Sequence, residues 1–102
     1  ESSPRMAVLV VEDNAEMRQY IRTVLSDTFT VLEASDGNNA LQVLGAHVVD
    51  LVLSDMMMPG MDGLELTQAI RANADLSHIP VIILTAKTSR DSQLEGLEPT
   101  TT

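Results

Sequence analysis

Cysteine is absent from the sequence, which excludes a disulfide framework and a thiolate metal site. This absence is compatible with the cytoplasm, where we expect the protein. No apolar run is long enough to span a membrane. Aromatic residues make up only 2% of the chain, as Tyr20 and Phe29. Stacking of nucleic-acid bases on aromatic side chains is therefore excluded as a binding mode.

Basic residues are also scarce, with 6 Lys and Arg against 15 Asp and Glu, and the formal net charge is −9. Nucleic acids and anionic membranes attract clustered lysine and arginine, so we expect neither as a direct partner. The 102 residues suffice for one domain with a small hydrophobic core. Because the sequence begins at Glu1 rather than Met, we expect it to be a piece of a longer protein.

Short apolar runs alternate with amphipathic stretches along the chain. The runs predict strands at 6–11, 29–33, 50–54 and 80–84. Helical spacing of apolar residues predicts helices at 14–26, 37–45, 62–71 and 88–97. Asn14 and Asp36 are placed to cap the first two helices. Strands that alternate with helices of this length indicate an α/β fold with a doubly wound parallel sheet.

Acidic side chains follow two of the predicted strands. Glu12 and Asp13 come directly after the first strand, and Asp55 comes directly after the third. The carboxyl ends of neighbouring parallel strands meet at one edge of the sheet, where such folds bind ligands. Carboxylates that converge there repel one another, and a hard cation such as Mg²⁺ relieves that repulsion. An aspartate beside such a cation can also act as a nucleophile toward phosphorus.

Three blocks of this sequence resemble the receiver domain of two-component response regulators. They are residues 8–14, which contain Glu12 and Asp13, residues 51–63, which contain Asp55, and residues 79–86, which contain Thr85. The resemblance covers 6–97 and leaves 1–5 as a leader and 98–102 as a tail. It implies a flavodoxin-like sheet with strand order 2-1-3-4, in which the fifth βα unit of the family is missing.

The resemblance also implies a role for individual residues. Asp55 is similar to the phosphoacceptor, which takes a phosphoryl group from a phosphohistidine of a sensor histidine kinase. Asp13 is similar to the direct carboxylate ligand of Mg²⁺, Glu12 to its partner acting through water, and the backbone carbonyl of Met57 to a further ligand. Thr85 is similar to the switch hydroxyl that moves toward the phosphorylated aspartate. The Mg²⁺ site thus comprises Glu12, Asp13, Asp55 and Met57.

The family pattern continues with a Lys-Pro pair at the end of a fifth strand, and this sequence contains no such pair. Lys87 lies two residues after Thr85, which is a different place in the pattern. The chain therefore resembles a receiver cut short, and the exposed edge of the fourth strand predicts self-association. Pro59 and Gly63 are similar to residues that shape the loop after the third strand, with glycine supplying an unusual φ angle.

The amino-acid sequences of these blocks are also similar to those of receivers attached to hybrid sensor kinases. This similarity implies that the parent chain carries a histidine kinase or an output domain elsewhere. A receiver promotes its own phosphorylation but is not a turnover enzyme.

Two other functions of α/β proteins fit the sequence less well. Aspartyl-nucleophile phosphatases place a second Asp two residues after the nucleophile, where this chain has Met57. A flavodoxin needs a first loop that cradles phosphate, and the acidic pair Glu12-Asp13 would repel one. One alternative stays open, an inactive or self-associating receiver fragment that acts only as a protein-interaction module.

Overall fold

The computed structural model describes residues 5–84. Strands and helices alternate there in the order β1 (Ala7–Val11), α1 (Ala15–Leu25), β2 (Thr30–Ala34), α2 (Gly37–Ala46), β3 (Leu51–Asp55), α3 (Gly63–Ala72) and β4 (Val81–Leu84). Each boundary predicted within this range lies within one residue of the observed one. The helix predicted at 88–97 lies outside the described residues.

The four strands form one parallel sheet in the order β2-β1-β3-β4, which confirms the predicted order. β1 is central, and residues Val8 to Val11 are at most 1% exposed. A strand that is covered on both faces must be apolar on both faces. That requirement explains why the sequence of β1 runs without a polar interruption.

Side-chain caps define where the three helices begin. The side chain of Asn14 accepts a hydrogen bond from the Met17 N–H at 2.8 Å, which confirms the predicted cap of α1. Asp36 caps α2 in the same way. At α3, Asp62 and Glu65 each accept the other's backbone N–H, which is a full capping box. These contacts satisfy N–H groups that have no partner within the helix.

The main core lies between one face of the sheet and helices α2 and α3. It consists of Leu9, Val11, Ala34, Ala40, Leu44, Val49, Val52, Met58, Leu66, Ile70 and Ile79. Because side chains alternate along a strand, Val8 and Val10 point to the opposite face, where α1 contacts β1 and β2. The described residues include no helix with the length and hydrophobicity needed to cross a bilayer.

Helix α1 is less buried than its sequence predicts. Met17, Tyr20 and Val24, which form the apolar stripe of this helix together with Ile21 and Leu25, are 47%, 65% and 57% exposed. Arg18 and Arg22 both bind Glu33 of β2, which fixes one flank of α1 against the sheet and leaves part of the stripe on the other flank.

Candidate metal centre

Three carboxylates meet at the carboxyl edge of the sheet. Val11 of β1 is paired with Ser54 of β3, so the residues that follow this pair, Glu12 and Asp55, are brought side by side. Asp13 continues from Glu12 into the loop before α1. One carboxylate oxygen from each of the three residues lies within 4.8 Å of the others. The structure therefore brings together the three acidic residues that the sequence predicts to converge.

Glu12 is the most buried member of the cluster, with 7% exposure. Its Oε2 accepts a hydrogen bond from the Asn14 N–H at 3.0 Å. The pKa of Glu12 is nevertheless raised, first by burial and further by the charges of Asp55 and Asp13 and a hydrogen bond with the Asp13 side chain. Burial and like charges both disfavour a carboxylate. The cluster is thus electrostatically costly by itself.

The cluster fits a hard divalent cation such as Mg²⁺. All three side chains offer oxygen atoms, which are the ligands that Mg²⁺ prefers. Asp13 is exposed and Asp55 is half-buried, so the cluster is accessible to a cation that keeps part of its water shell. A cation would also compensate the repulsion that raises the pKa of Glu12. Asp13 and Asp55, with Glu12 behind them, are the residues that would hold it.

The loop between β3 and α3 approaches the cluster closely. The Met56 N–H donates to the Leu84 carbonyl at 3.1 Å, and the Gly63 N–H donates to the Met56 carbonyl at 2.9 Å. These bonds tie the start of the loop both to β4 and to the first residue of α3. Met57, whose carbonyl the sequence predicts as a ligand, belongs to this loop and is 65% exposed. Its role as a ligand stays a prediction.

Two glycines, Gly60 in this loop and Gly63 at the start of α3, have different structural roles. Gly60 has a φ of +76°, a conformation that side chains with a Cβ resist. Gly63 is needed for close approach, because a Cβ there would lie 2.6 Å from the Asp55 carbonyl oxygen. The expectation that Gly63 supplies the unusual φ angle is wrong, since Gly60 supplies it. Thr85, the predicted switch residue, follows Leu84 and lies outside the described residues.

Two contacts around the cluster are not predicted from the sequence. Arg18 of α1 donates from Nη1 to the Glu12 carbonyl at 2.7 Å, and Ser54, fully buried, donates from Oγ to the Asp55 carbonyl at 2.9 Å. The sequence carries a signal only for the ion pairs of Arg18 and Arg22 with Glu33, not for the contact with Glu12. Arg18 and Arg22 are four residues apart on one helix face, and Glu33 is an acidic residue within a predicted buried strand.

The sequence model of the response regulator receiver domain family matches residues 8–101 of this chain. This chain belongs to the response regulator receiver domain family. Its blocks around Glu12-Asp13 and Asp55 thus lie in a receiver, as the sequence resemblance implies. The four-stranded sheet in the order β2-β1-β3-β4 is the receiver sheet, and the acidic cluster lies at its carboxyl edge.

Relatives of this receiver occur both as long kinases and as short proteins. It is 37% identical over 94 residues to histidine kinase P4 of Formosa agariphila, covering 92% of this chain and 7% of that protein. It is 40% identical over 95 residues to chemotaxis protein CheY of Pseudomonas aeruginosa, covering 91% and 77%. The chain thus spans a small part of the kinase and most of CheY.

Solved structures have the same fold. The chemotaxis response regulator CheY4 of Vibrio cholerae superimposes with a TM-score of 0.77 at 33% identity, covering 92% of this chain and 79% of that one. The receiver domain of a signal transduction histidine kinase from Syntrophus aciditrophicus gives a TM-score of 0.73 at 30% identity, covering 88% and 71%. Both confirm the receiver fold for this chain.

Proposed function

We propose that this receiver accepts a phosphoryl group on Asp55, taken from a phosphohistidine of a histidine kinase. The observation that carries the proposal is the convergence of Asp55 with Glu12 and Asp13 within 4.8 Å at the sheet edge. Membership of the receiver family supports it. Relatives named as histidine kinases support the class of donor.

The geometry favours Asp55 over Glu12 as the nucleophile. Glu12 is nearly fully buried, and its carboxylate is occupied by the Asn14 N–H. Asp55 is half-buried, and its backbone is fixed by the Ser54 hydroxyl and by the neighbouring Met56 N–H, which bonds Leu84. Its carboxylate accepts no hydrogen bond from the residues 5–84. The backbone of Asp55 is thus fixed, and among residues 5–84 no donor competes for its carboxylate oxygens.

In the proposed step, a carboxylate oxygen of Asp55 forms a bond to phosphorus. The bond between phosphorus and the donor histidine nitrogen breaks, and that nitrogen keeps the electron pair. Bound Mg²⁺ would neutralise charge on the phosphoryl oxygens. Asp13 and Glu12 hold negative charge beside Asp55, and the Met57 carbonyl is a further proposed ligand. Thr85 is the proposed switch hydroxyl that contacts the phosphorylated aspartate.

The proposal extends to the setting of the domain. The receiver would relay the signal to a histidine kinase or output domain elsewhere in its parent chain, because relatives of this chain are parts of much longer kinases. We also propose the cytoplasm as its location, in line with its likeness to chemotaxis protein CheY. Neither nucleic acid nor membrane is a proposed partner, because the net charge is −9.

A second candidate function is a protein-interaction module that is not phosphorylated. Its supporting observation is β4, which pairs with β3 on one side and, within residues 5–84, with no strand on the other. Ile82 of this strand is 48% exposed. An open strand edge can pair with a second chain. Sedimentation at increasing protein concentration would detect such self-association, and a monomer throughout would exclude it.

Intact-mass spectrometry after incubation with Mg²⁺ and a small phosphodonor tests the proposed function. We expect a gain of one phosphoryl group in the unsubstituted 102-residue chain and none in Asp55→Asn. Asp75→Asn is a matched control, because Asp75 is exposed between α3 and β4, away from the cluster. Equal phosphorylation of Asp55→Asn and of the unsubstituted chain would overturn the assignment of Asp55 as the phosphoacceptor.

A further inference from the structure

Arg18 connects the acidic cluster to the neighbouring strand through a single guanidinium group. Its Nη1 donates to the Glu12 carbonyl at 2.7 Å, and its Nε donates to Glu33 Oε1 at 3.1 Å. The Arg18 side chain is only 20% exposed. The planar fork of arginine allows it to make both contacts in one fixed orientation.

The Arg18 contact completes the fixation of Glu12. The Glu12 N–H donates to the Ala34 carbonyl at 3.1 Å, and its carboxylate accepts from the Asn14 N–H. Arg18 binds the remaining polar group of the residue, the carbonyl. That carbonyl shares one rigid peptide plane with the N–H of Asp13. Arg18 therefore sets the orientation in which the chain enters Asp13.

We propose that Arg18 is a positioning residue for the cation site, acting through the Glu12 carbonyl to hold Asp13 in the orientation that binds Mg²⁺. This inference rests on the proposed function, because it requires the cluster to bind a divalent cation. Arg18 itself touches neither the cation nor the phosphoryl group in this proposal. Its effect passes through the Glu12–Asp13 peptide.

The charge of Arg18 has the opposite effect to its positioning role, and this separates the two. A guanidinium bound to the Glu12 carbonyl repels a divalent cation held by the cluster, so removing the charge alone would strengthen cation binding. Removing a group that orients a ligand weakens binding, typically by about 10- to 100-fold for residues that support metal ligands. The direction of the change in affinity therefore decides between the two effects.

Arg22 provides a matched control on the same helix. It carries the same charge and donates to the other oxygen of the same carboxylate, Glu33 Oε2, at 2.7 Å. Among the described residues its guanidinium does not contact Glu12. Substituting Arg22 removes an equal charge and one bond to Glu33, but it leaves the Glu12 carbonyl bound to Arg18.

Isothermal titration calorimetry with Mg²⁺ and with Mn²⁺ on the 102-residue chain tests the inference. We expect Arg18→Gln to weaken the affinity for both cations by about tenfold. Arg22→Gln should leave the affinity unchanged or slightly higher, as loss of charge alone predicts. Unchanged or tighter binding by folded Arg18→Gln would overturn the inference.

Arg18→Lys keeps the test decisive if Arg18→Gln does not fold, as judged by circular dichroism. Lysine retains the charge but lacks the fork that reaches both Glu12 and Glu33. A positioning role predicts that Arg18→Lys binds the cations more weakly than the unsubstituted chain. A purely electrostatic role predicts equal affinity, and that result would refute positioning. If the unsubstituted chain binds neither cation, the proposed function itself is contradicted. That result is distinct from a loss of binding confined to the Arg18 variants.

Discussion

Gly63 lies against Asp55 so closely that a Cβ at Gly63 would stand 2.6 Å from the Asp55 carbonyl oxygen. It would also stand 3.0 Å from the Met56 Cα. Both neighbours are backbone atoms of the β3 end, which cannot move without moving Asp55. The first turn of α3 is thus packed directly against the residue proposed to accept the phosphoryl group.

Gly63→Ala is therefore expected to destabilise the fold by about 1–3 kcal/mol, the usual cost of forcing extra atoms into a packed site. Gly45→Ala is the matched control, because Gly45 is also helical and no atom lies within 4 Å of a Cβ built there. It should be neutral or stabilising by up to about 1 kcal/mol, since alanine favours helix. Urea unfolding of both variants measures the difference, and equal stabilities would contradict the packing argument.

The raised pKa of Glu12 predicts a pH-dependent stability in the absence of divalent cations. Because the folded state holds the Glu12 proton more tightly than the unfolded state, the contribution of Glu12 to the free energy of unfolding is greatest below its ordinary pKa of 4.5. That contribution is lost as the pH rises through the higher pKa of the folded state.

Glu12→Gln should remove this dependence and stabilise the chain near neutral pH by on the order of 1 kcal/mol. The amide keeps an oxygen for the Asn14 N–H and adds donors that face Asp13 and Asp55. Urea unfolding with a chelator present, from below pH 4.5 to neutrality, measures the effect. If Glu12→Gln is less stable than the unsubstituted chain at neutral pH, the charge of Glu12 does not destabilise the folded state.

The proposed function predicts that Mg²⁺ stabilises the unsubstituted chain, because an ion held by the three carboxylates would bind the folded state and not the unfolded one. At a concentration about 100 times its Kd, the gain in free energy of unfolding is about 2.7 kcal/mol. Thermal unfolding with Mg²⁺ and then with excess chelator would show the gain and its reversal. Asp13→Asn should lose most of it, and Asp27→Asn, at an exposed turn after α1, should retain it.

The sequence alone predicts the elements and the three carboxylates because the signals for these are local. The apolar run of β1 and the cap residue Asn14 each specify a boundary within a few residues. The convergence of Asp13 and Asp55 follows from one rule, that the carboxyl ends of adjacent parallel strands meet. Position along a strand is therefore enough to find the cluster.

The remaining features depend on contacts between distant elements, which no local pattern encodes. Arg18 follows the cap of α1 as an ordinary helix former, and only the structure shows that it donates to the Glu12 carbonyl. Tyr20 belongs to the apolar stripe of α1 yet is 65% exposed, because burial depends on which elements pack against that face of the helix. The tight approach of Gly63 likewise depends on where α3 meets β3.

The most direct test of the central proposal is to locate the phosphoryl group itself. Borohydride reduces an aspartyl phosphate to homoserine, and peptide mass mapping then identifies the residue that was modified. After treatment with Mg²⁺ and a phosphodonor, we expect conversion at Asp55, and none when a chelator replaces Mg²⁺. Conversion at Asp13 instead of Asp55, or equal conversion with and without the cation, would contradict it.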